Sequence, residues 1–291
     1  MKTLRLKYKQ WQGAYGPDMA KYSEKYLTFM EATHGYFQGN DIISLLAPPP
    51  TGPVAEVPVP YTETEEDMAT VDGIYARGAC FRQLKQALQI LDEKQPAKVC
   101  VIGGDCAVST PVFSWLSNKY KDECAIIWYD AHPDITCPNE GYAGFHAMAL
   151  GHVLGIGDKQ FLDTLPGRVP PSRALLVGLR SLWGAEKRKE ELGLKSLSPD
   201  EFRSNPSAVY DWLRSTGAKK VLVHFDVDVL DPEECRMTNC TEPNGLKIAE
   251  VVESIRGIES VCEIVCLTLA EHIPIVEIQL QRMLNALPLF K

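Results

Sequence analysis

Three features that direct proteins to nucleic acids or membranes are missing from this 291-residue sequence. Acidic residues outnumber basic ones, 38 Asp and Glu against 30 Lys and Arg, and the basic residues form no block. Because nucleic-acid-binding proteins carry a basic patch, we expect no nucleic-acid partner. No apolar run approaches the roughly 20 residues that a membrane-spanning helix needs, and residues 1–9 alternate basic and apolar side chains instead of forming the apolar core of a secretory signal. We therefore expect no membrane segment and a cytoplasmic location.

The nine cysteines are scattered and odd in number, which is untypical of a disulfide framework and typical of reduced cytosolic thiols. Internal repeats and low-complexity tracts are absent as well. Hydrophobic residues make up 45% of the chain, which is enough for one sizeable core. We predict a single domain over residues 1–291, because the segment before the proline-rich loop at residues 47–53 is too short to bury a core alone.

Apolar, strand-like runs alternate along the chain with stretches whose apolar residues have helical spacing. The strand-like runs are residues 4–11, 98–102, 125–129, 174–178, 221–225 and 264–267, and the helix-like stretches include residues 72–91, 111–120, 145–154 and 249–255. Continuous apolar strands separated by amphipathic helices are typical of a parallel sheet covered on both faces. The sequence therefore predicts an α/β fold with three α/β/α layers and a mainly parallel sheet.

Polar clusters follow four of these runs. They are Gly103-Gly104-Asp105-Cys106, Asp130-Ala131-His132-Pro133-Asp134, Asp226-Val227-Asp228-Val229-Leu230-Asp231-Pro232 and Ala270-Glu271-His272. In open parallel sheets, ligands bind at the carboxyl ends of the strands, where the loops converge on one crevice. The four clusters therefore predict one shared site.

Aspartates dominate the second and third clusters. The second places Asp130, His132 and Asp134 two residues apart, and the third does the same for Asp226 and Asp228. Residues at this spacing project to the same side of an extended strand. Four neighbouring carboxylates would repel one another, and two divalent cations would neutralise them. A single Asp-x-Asp favours a solvated turn, but this combination predicts a metal centre for manganese or a similar first-row ion, a known device for hydrolysis.

The first three clusters resemble the three motifs of the arginase family, the ureohydrolases that include arginase, agmatinase and formimidoylglutamase. The motifs stand in the family's order and spacing, and the likeness spans residues 98–275. Family members hydrolyse a guanidinium-type group with a hydroxide that bridges two manganese ions, and they commonly form trimers or hexamers. The resemblance implies a hydrolase of linear amidine C–N bonds that releases urea, binds two Mn²⁺ ions, acts on a small guanidino compound and forms a homo-oligomer.

The resemblance also assigns the metal ligands by position. Asp130 and Asp226 would contact both ions, Asp134 would bind the first ion, and His132 and Asp228 would bind the second.

Three side chains are implied to be catalytic. Asp134 would hold the proton of the hydroxide, and His146 resembles the histidine that shuttles a proton to the leaving amine. Glu271 resembles the glutamate that pairs with the substrate guanidinium through two hydrogen bonds. The alternatives are a packing histidine at a helix start for His146 and a surface or capping carboxylate for Glu271.

The first motif departs from the family pattern, because Cys106 stands where a histidine is usual. A thiol must ionise to bind a metal, and the thiolate is softer than manganese prefers. We therefore expect the first ion to be weakly held, different or absent. His224 is a possible substitute, but at about 3.3 Å per residue it lies about 6–7 Å farther down the strand than Asp226. This spacing favours a supporting or packing role over ligation.

The substrate loops depart as well. Thr136 and Ala143 stand where arginases have an asparagine and a serine for the substrate carboxylate, and Ser181 stands where they have an aspartate for the α-amino group. We predict that Thr136, Ser181 and Glu271 bind the substrate, and that the usual contacts to an α-amino acid are largely missing. Two alternative functions stay open: hydrolysis of a related amide or formimino bond, and a metal-poor, non-catalytic arginase-like protein.

Overall fold

A single parallel sheet forms the centre of the protein. The computed structural model describes residues 3–16 and 27–286. Its strands are β1 (Leu4–Tyr8), β2 (Val54–Glu56), β3 (Val99–Gly103), β4 (Cys124–Tyr129), β5 (Ala174–Val177), β6 (Lys195–Leu197), β7 (Lys220–Asp226) and β8 (Glu263–Ala270). They lie in the order β2-β1-β3-β8-β7-β4-β5-β6, and every pairing is parallel. The predicted α/β fold with a parallel sheet is confirmed.

Helices cover both faces of this sheet. Those of the described residues are α1 (Phe29–Leu46), α2 (Arg77–Lys94), α3 (Ser109–Tyr120), α4 (Ala149–Leu154), α5 (Lys159–Thr164), α6 (Glu186–Glu191), α7 (Pro199–Ser204), α8 (Ala208–Thr216), α9 (Ile248–Ile258) and α10 (Ile275–Ala286). Strand β4 is buried along its whole length. Its Ile126 and Trp128 pack into a core shared with α2, α3 and α4, whereas Ile127 and Tyr129 pack into a second core shared with α8 and α9. The alternation of side chains along one strand thus fills two cores.

The two short outer strands carry no clear sequence signal. β2 and β6 have three residues each and are largely exposed or half-buried. A strand of this length at the sheet edge has too few apolar residues to form a recognisable run. No helix in the described part of the chain is long and apolar enough to cross a membrane.

A change in strand order creates the crevice of the fold. From β3 the chain passes over two sheet positions to begin β4, and β7 and β8 later fill the gap between them. Loops that leave a parallel sheet at such a switch point diverge and leave room for a ligand. The four strands at this point are the four whose ends carry the predicted polar clusters.

A third, smaller core closes one side of the crevice. Trp11, which follows β1, packs with Tyr36 of α1 and with Ile273, which precedes α10. The Trp11 indole also donates a hydrogen bond of 3.1 Å to the Pro60 carbonyl. These contacts hold α1 over the crevice, where Tyr36 lines the cavity described below.

The buried His152 uses one ring nitrogen as a hydrogen-bond acceptor and the other as a donor. The His152 Nε2 accepts a hydrogen bond of 3.0 Å from the Asp158 backbone N–H, so the Nδ1 carries the proton and lies 2.9 Å from the Met148 carbonyl. The ring packs between Phe145 and Phe161. Burial lowers the pKa of His152 to about 4. A second proton would displace the Asp158 N–H, so the folded protein resists it.

His152 is expected to make the metal-free protein less stable in mild acid. Below about pH 6.5 the His152 ring binds a proton in the unfolded chain but not in the folded chain. The free energy of unfolding therefore falls as the pH falls. The loss from this residue is about 1.4 kcal/mol per pH unit until the folded state protonates near pH 4. Urea denaturation between pH 7 and pH 4.5 should show a shallower pH dependence for His152→Gln than for the parent. Equal slopes would contradict the assignment, because all other titrating groups are common to both proteins.

Candidate metal centre and active site

The carboxyl ends of the four central strands open into a cavity of about 110 Å³. Most of the sequence-predicted site residues line it: Cys106, His132, Asp134, Thr136, His146, Asp226, Asp228 and Glu271. Asp130 is not part of the lining and is buried. Ser181 is not part of the lining, and its backbone N–H bonds the Ala131 carbonyl. The structure therefore brings the predicted ligands and catalytic residues together and leaves Ser181 outside.

Three groups of side chains within this region have the composition of metal sites. They are Cys106, Asp130, Asp134 and His224; Asp130, His132 and Asp228; and Cys106, Asp226 and Glu271. Within each group the possible ligand atoms all lie within 4.8 Å of one another. The shared members Asp130 and Cys106 make the groups parts of one centre.

The same backbone device aims the polar side chains at each strand end. Asp105, Asp130 and Asp226 each accept a hydrogen bond from the backbone N–H two residues ahead, at 3.0, 2.6 and 2.7 Å. An aspartate that binds its own backbone in this way closes a tight turn as the strand ends. Asp105 also accepts from the Gly13 N–H at 2.8 Å, and a Cβ at Gly13 would stand 2.5 Å from the Asp105 carboxylate. Glycine is therefore required where the N-terminal loop meets the site.

Buried carboxylates determine the electrostatics of the centre. Burial, with help from the nearby Asp228, raises the pKa of Asp130 to about 7. Burial and neighbouring carboxylates also raise the pKa values of Asp134 and Asp226 well above the ordinary value. Asp228 is different: burial opposes its charge, but a 2.8 Å contact with the His132 Nδ1 lowers its pKa overall. In the metal-free protein, the His132 ring thus supplies positive charge next to these carboxylates.

One carboxylate oxygen is left without any partner. The Oδ2 atom of Asp134 is buried and makes no hydrogen bond, although a buried acceptor without a partner costs about 1–3 kcal/mol. The backbone of Asp134 also adopts a left-handed conformation, with φ of +48°, which is uncommon for residues other than glycine and is found at functional sites. A divalent cation would satisfy this oxygen, and carboxylate and imidazole donors suit such an ion. The residues present therefore fit the expected cations.

A second chain of contacts joins the predicted catalytic residues. The Glu271 Oε1 accepts a hydrogen bond of 2.9 Å from the Cys106 backbone N–H and lies 3.0 Å from the His146 Nδ1. The other ring nitrogen of His146 lies 2.6 Å from the Tyr142 hydroxyl. Burial disfavours a charged His146, but the Glu271 carboxylate raises its pKa overall. Glu271 also has a left-handed backbone, with φ of +66°.

Sequence reasoning missed the contact between Tyr142 and His146. The indicator is Gly144 between them, because a Cβ there would stand 2.5 Å from the Tyr142 ring. The absence of a side chain lets the tyrosine fold back onto the histidine. A glycine in a loop is by itself too common a feature to predict such a contact.

His224 lies closer to the centre than its strand position suggested. Its Nε2 is 3.4 Å from the Cys106 Sγ, and the same sulfur lies 2.9 Å from the Asp226 Oδ2. The spacing argument counted only the rise along β7, whereas the turn after β3 brings the sulfur between the two side chains. The imidazole ring lies stacked on Trp128 with 3.6 Å between ring centroids, and its Nδ1 is 2.8 Å from the Ser109 Oγ. Burial lowers the pKa of His224 to about 3, so the ring is neutral.

Asn239 also escaped sequence reasoning. It lines the cavity, is only 3% exposed, and neither its side-chain oxygen nor its nitrogen has a hydrogen-bond partner. Thr136, in contrast, already donates its hydroxyl proton to the Ala147 carbonyl at 2.7 Å. A buried amide without partners points to a ligand that supplies them.

Fold and site together define an α/β protein with a buried centre of carboxylates and imidazoles at a strand switch point. The Arginase family model matches residues 55–287. The chain belongs to the arginase family, whose members are binuclear metal enzymes, and it carries a matching cluster of possible metal ligands.

Individual relatives are distant. Arginase from Staphylococcus aureus (strain COL) is 28% identical over 165 residues, which cover 52% of this chain and 52% of that protein. Arginase 2, chloroplastic/mitochondrial, from Arabidopsis thaliana is 28% identical over 178 residues, which cover 60% of this chain and 48% of that protein. The matched part thus spans about half the length of these curated relatives.

Solved structures share the fold over nearly the whole chain. Entamoeba histolytica arginase in complex with L-ornithine superposes with a TM-score of 0.74 at 17% identity, covering 95% of this chain and 94% of that one. Proclavaminate amidino hydrolase from Streptomyces clavuligerus gives a TM-score of 0.66 at 17% identity and covers 94% and 84%. At these identities the likeness establishes the fold alone.

Asp134→Asn is expected to separate metal binding from stability. Without metal, the neutral amide relieves repulsion from Asp130 and Asp228. The free energy of unfolding of the variant at pH 8.5 should therefore be about 1–2 kcal/mol higher than that of the parent. The parent should gain stability when Mn²⁺ is added, by about 2.7 kcal/mol at 100 times its dissociation constant, and the variant should gain much less. Thermal unfolding with and without Mn²⁺ measures both effects.

The exposed Asp122→Asn serves as a control and should behave as the parent does in both conditions. If Mn²⁺ stabilises the Asp134→Asn protein as much as the parent, Asp134 is not a ligand of the metal centre.

Proposed function

We propose that this protein is a metal-dependent hydrolase that cleaves the linear C–N bond of a small guanidino compound and releases urea. The observation that carries the proposal is the placement of Glu271 and His146 in hydrogen-bond contact beside the carboxylate cluster, in one cavity. A carboxylate for the substrate cation, an imidazole for the leaving group and ligands for two ions are the parts that such a hydrolysis needs.

Two Mn²⁺ ions are the expected cofactor, although the first position is doubtful because Cys106 stands where a histidine is usual. Asp130 and Asp226 would be shared between them, His132 and Asp228 would hold the second ion, and Asp134 would help to hold the first. When bound, such a pair supplies an acidified water nucleophile and neutralises the buried carboxylates. Support comes from the clustering of these donors and from family membership.

Asp134 and His146 divide the proton handling between them. Asp134 lines the same cavity as Glu271 and His146, so its carboxylate can accept a proton from the attacking water. His146 can donate a proton to the departing amine, because its pKa is raised beside Glu271. The half-buried Tyr142 hydroxyl, 2.6 Å from the Nε2 of His146, orients the ring for this donation.

Glu271 provides the recognition of the guanidinium. Its carboxylate is fixed by the Cys106 backbone N–H and by His146, so it faces the cavity with little freedom. A guanidinium presents two parallel N–H groups that match the two oxygens of a carboxylate. Substrate binding would compete with His146 for one of these oxygens, which frees the imidazole for the leaving group.

The far end of the substrate meets different groups from those of an α-amino acid site. Asn239 offers an amide nitrogen and an amide oxygen that no protein atom uses. Thr136 can only accept there, since its proton is bonded to Ala147. These groups favour a short, polar, uncharged tail over an amino acid head group. We also propose a homo-oligomer, supported by exposed apolar side chains on two paired helices, among them Leu46 of α1 and Val276 of α10.

The first test combines metal content with product analysis. After purification with manganese, the protein should hold two ions per chain and release urea from one member of a panel of guanidino compounds. Ammonia or formamide from formimino compounds, with no urea, would assign the alternative bond. Loss of both metal and product would favour a non-catalytic arginase-like protein.

Glu271→Gln is expected to lower kcat/KM for urea release by ~100-fold or more, because the amide keeps the hydrogen bond from Cys106 but loses the charge that pairs with the guanidinium. Metal content should stay at two ions per chain. Glu253→Gln, an exposed change on α9, is the matched control and should keep full activity. Undiminished urea release by Glu271→Gln would exclude its assigned role.

A further inference from the structure

Cys106 and His224 form a buried thiol–imidazole pair that the family pattern does not contain. They come from different elements, the turn after β3 and strand β7, and both are at most 2% exposed. Their Sγ and Nε2 atoms lie 3.4 Å apart. The family usually has a histidine at position 106. In this chain an imidazole nitrogen still lies beside that position, but it belongs to His224 of strand β7.

Four donors converge around this pair. The ligand atoms of Cys106, Asp130, Asp134 and His224 all lie within 4.8 Å of one another. Metal–ligand bonds of about 2.0–2.3 Å separate two donors of one tetrahedral ion by about 3.3–3.8 Å. The group therefore needs only small side-chain movements to enclose a single cation.

The surroundings of His224 are those of a metal-binding histidine. Its Nδ1 lies 2.8 Å from the Ser109 Oγ, and its ring is stacked on Trp128 at an angle of 11°. Ligating histidines almost always bond a neighbour through the nitrogen that does not bind the metal, which fixes the ring and its tautomer. The Nε2 is thereby aimed at the cluster.

Hydrogen bonding inside the cluster is incomplete. The single proton of the Cys106 thiol has two acceptors, the Asp226 Oδ2 at 2.9 Å and the His224 Nε2 at 3.4 Å. The Asp134 Oδ2 has no donor at all. A buried group of acceptors with too few protons is destabilising, and a cation is what would satisfy it.

We propose that His224 and Cys106 are ligands of the first cation, together with Asp130 and Asp134, and that this position takes a thiophilic divalent ion such as Zn²⁺ in place of Mn²⁺. Thiolate and imidazole donors select zinc, whereas carboxylate-rich sites suit manganese. The centre would then be mixed, with the second position of Asp130, His132 and Asp228 left to manganese. The inference rests on the proposed function only in using the same cluster.

Cobalt is the probe for this assignment, because Co²⁺ bound to a thiolate gives a charge-transfer absorption in the near ultraviolet. The metal-stripped protein, loaded with Co²⁺, should show this band. Cys106→Ser should abolish it, whereas Cys240→Ser, which changes another thiol lining the same cavity, should leave it unchanged. His224→Gln should weaken Co²⁺ and Zn²⁺ binding at this position by ~100-fold and alter the band, and Ser109→Ala should weaken binding by ~10-fold.

A double variant guards against misfolding of the single ones. Cys106→His with His224→Ser returns the imidazole to the first motif, so it should still bind two ions but bind Zn²⁺ less strongly relative to Mn²⁺ than the parent does, and it should lack the Co²⁺–thiolate band. A parent protein without the band, or a His224→Gln protein with unchanged Co²⁺ affinity and spectrum, would overturn the proposal. Since none of these readouts is activity, an inactive protein with the band would refute only the guanidino hydrolase.

Discussion

Charge compensation among buried aspartates is the constraint on which the rest of this structure depends. Strands β4 and β7 end side by side, which places Asp130 next to Asp226. The turns that follow these strands bring the carboxylates of Asp134 and Asp228 close to them. Backbone N–H groups, one indole and the His132 ring offset part of this charge. They leave the Asp134 Oδ2 without a partner. Bound cations would offset this remaining charge, so the centre is the part of the fold that metal binding would stabilise most directly.

The turns that close the strands are also the means by which the site keeps its shape. Asp130 and Asp226 each use one oxygen to accept a backbone N–H, and this fixes the direction of the other oxygen. A carboxylate held in this way loses little freedom when it binds a ligand, which is the general advantage of preorganisation. Asp105, which is not a predicted metal ligand, forms the same kind of turn. It also accepts a hydrogen bond from the Gly13 N–H and so fixes the N-terminal loop. Local backbone chemistry therefore links the sheet, the loop and the centre.

Sequence reasoning succeeded where a local rule has a fixed spatial consequence. Apolar runs predicted the long strands, and the rule that parallel strands end at one edge predicted the proximity of Asp130, His132 and Asp228 that the structure shows. It gave less where distance across the sheet decides the contact. The rise along β7 predicted a supporting or packing role for His224, and it gave no sign that the Cys106 sulfur would reach this ring from the turn after β3. Asn239 lies in a loop without periodicity, where no pattern reports burial.

The exchange of a histidine for a cysteine has a consequence beyond the choice of metal. A neutral imidazole at position 106 would leave the four aspartates to balance two divalent cations, whereas a thiolate adds one negative charge. If Cys106 binds the first cation as a thiolate, this excess would make the cation a weaker Lewis acid, and a water bound to it would ionise at higher pH. The same excess strengthens the hold on a cationic substrate, since Glu271 lies beside Cys106 and shares its backbone N–H. A metal centre with this ligand set would therefore gain affinity for a guanidinium at the expense of nucleophile strength, and it would favour substrates that are recognised chiefly by their charge.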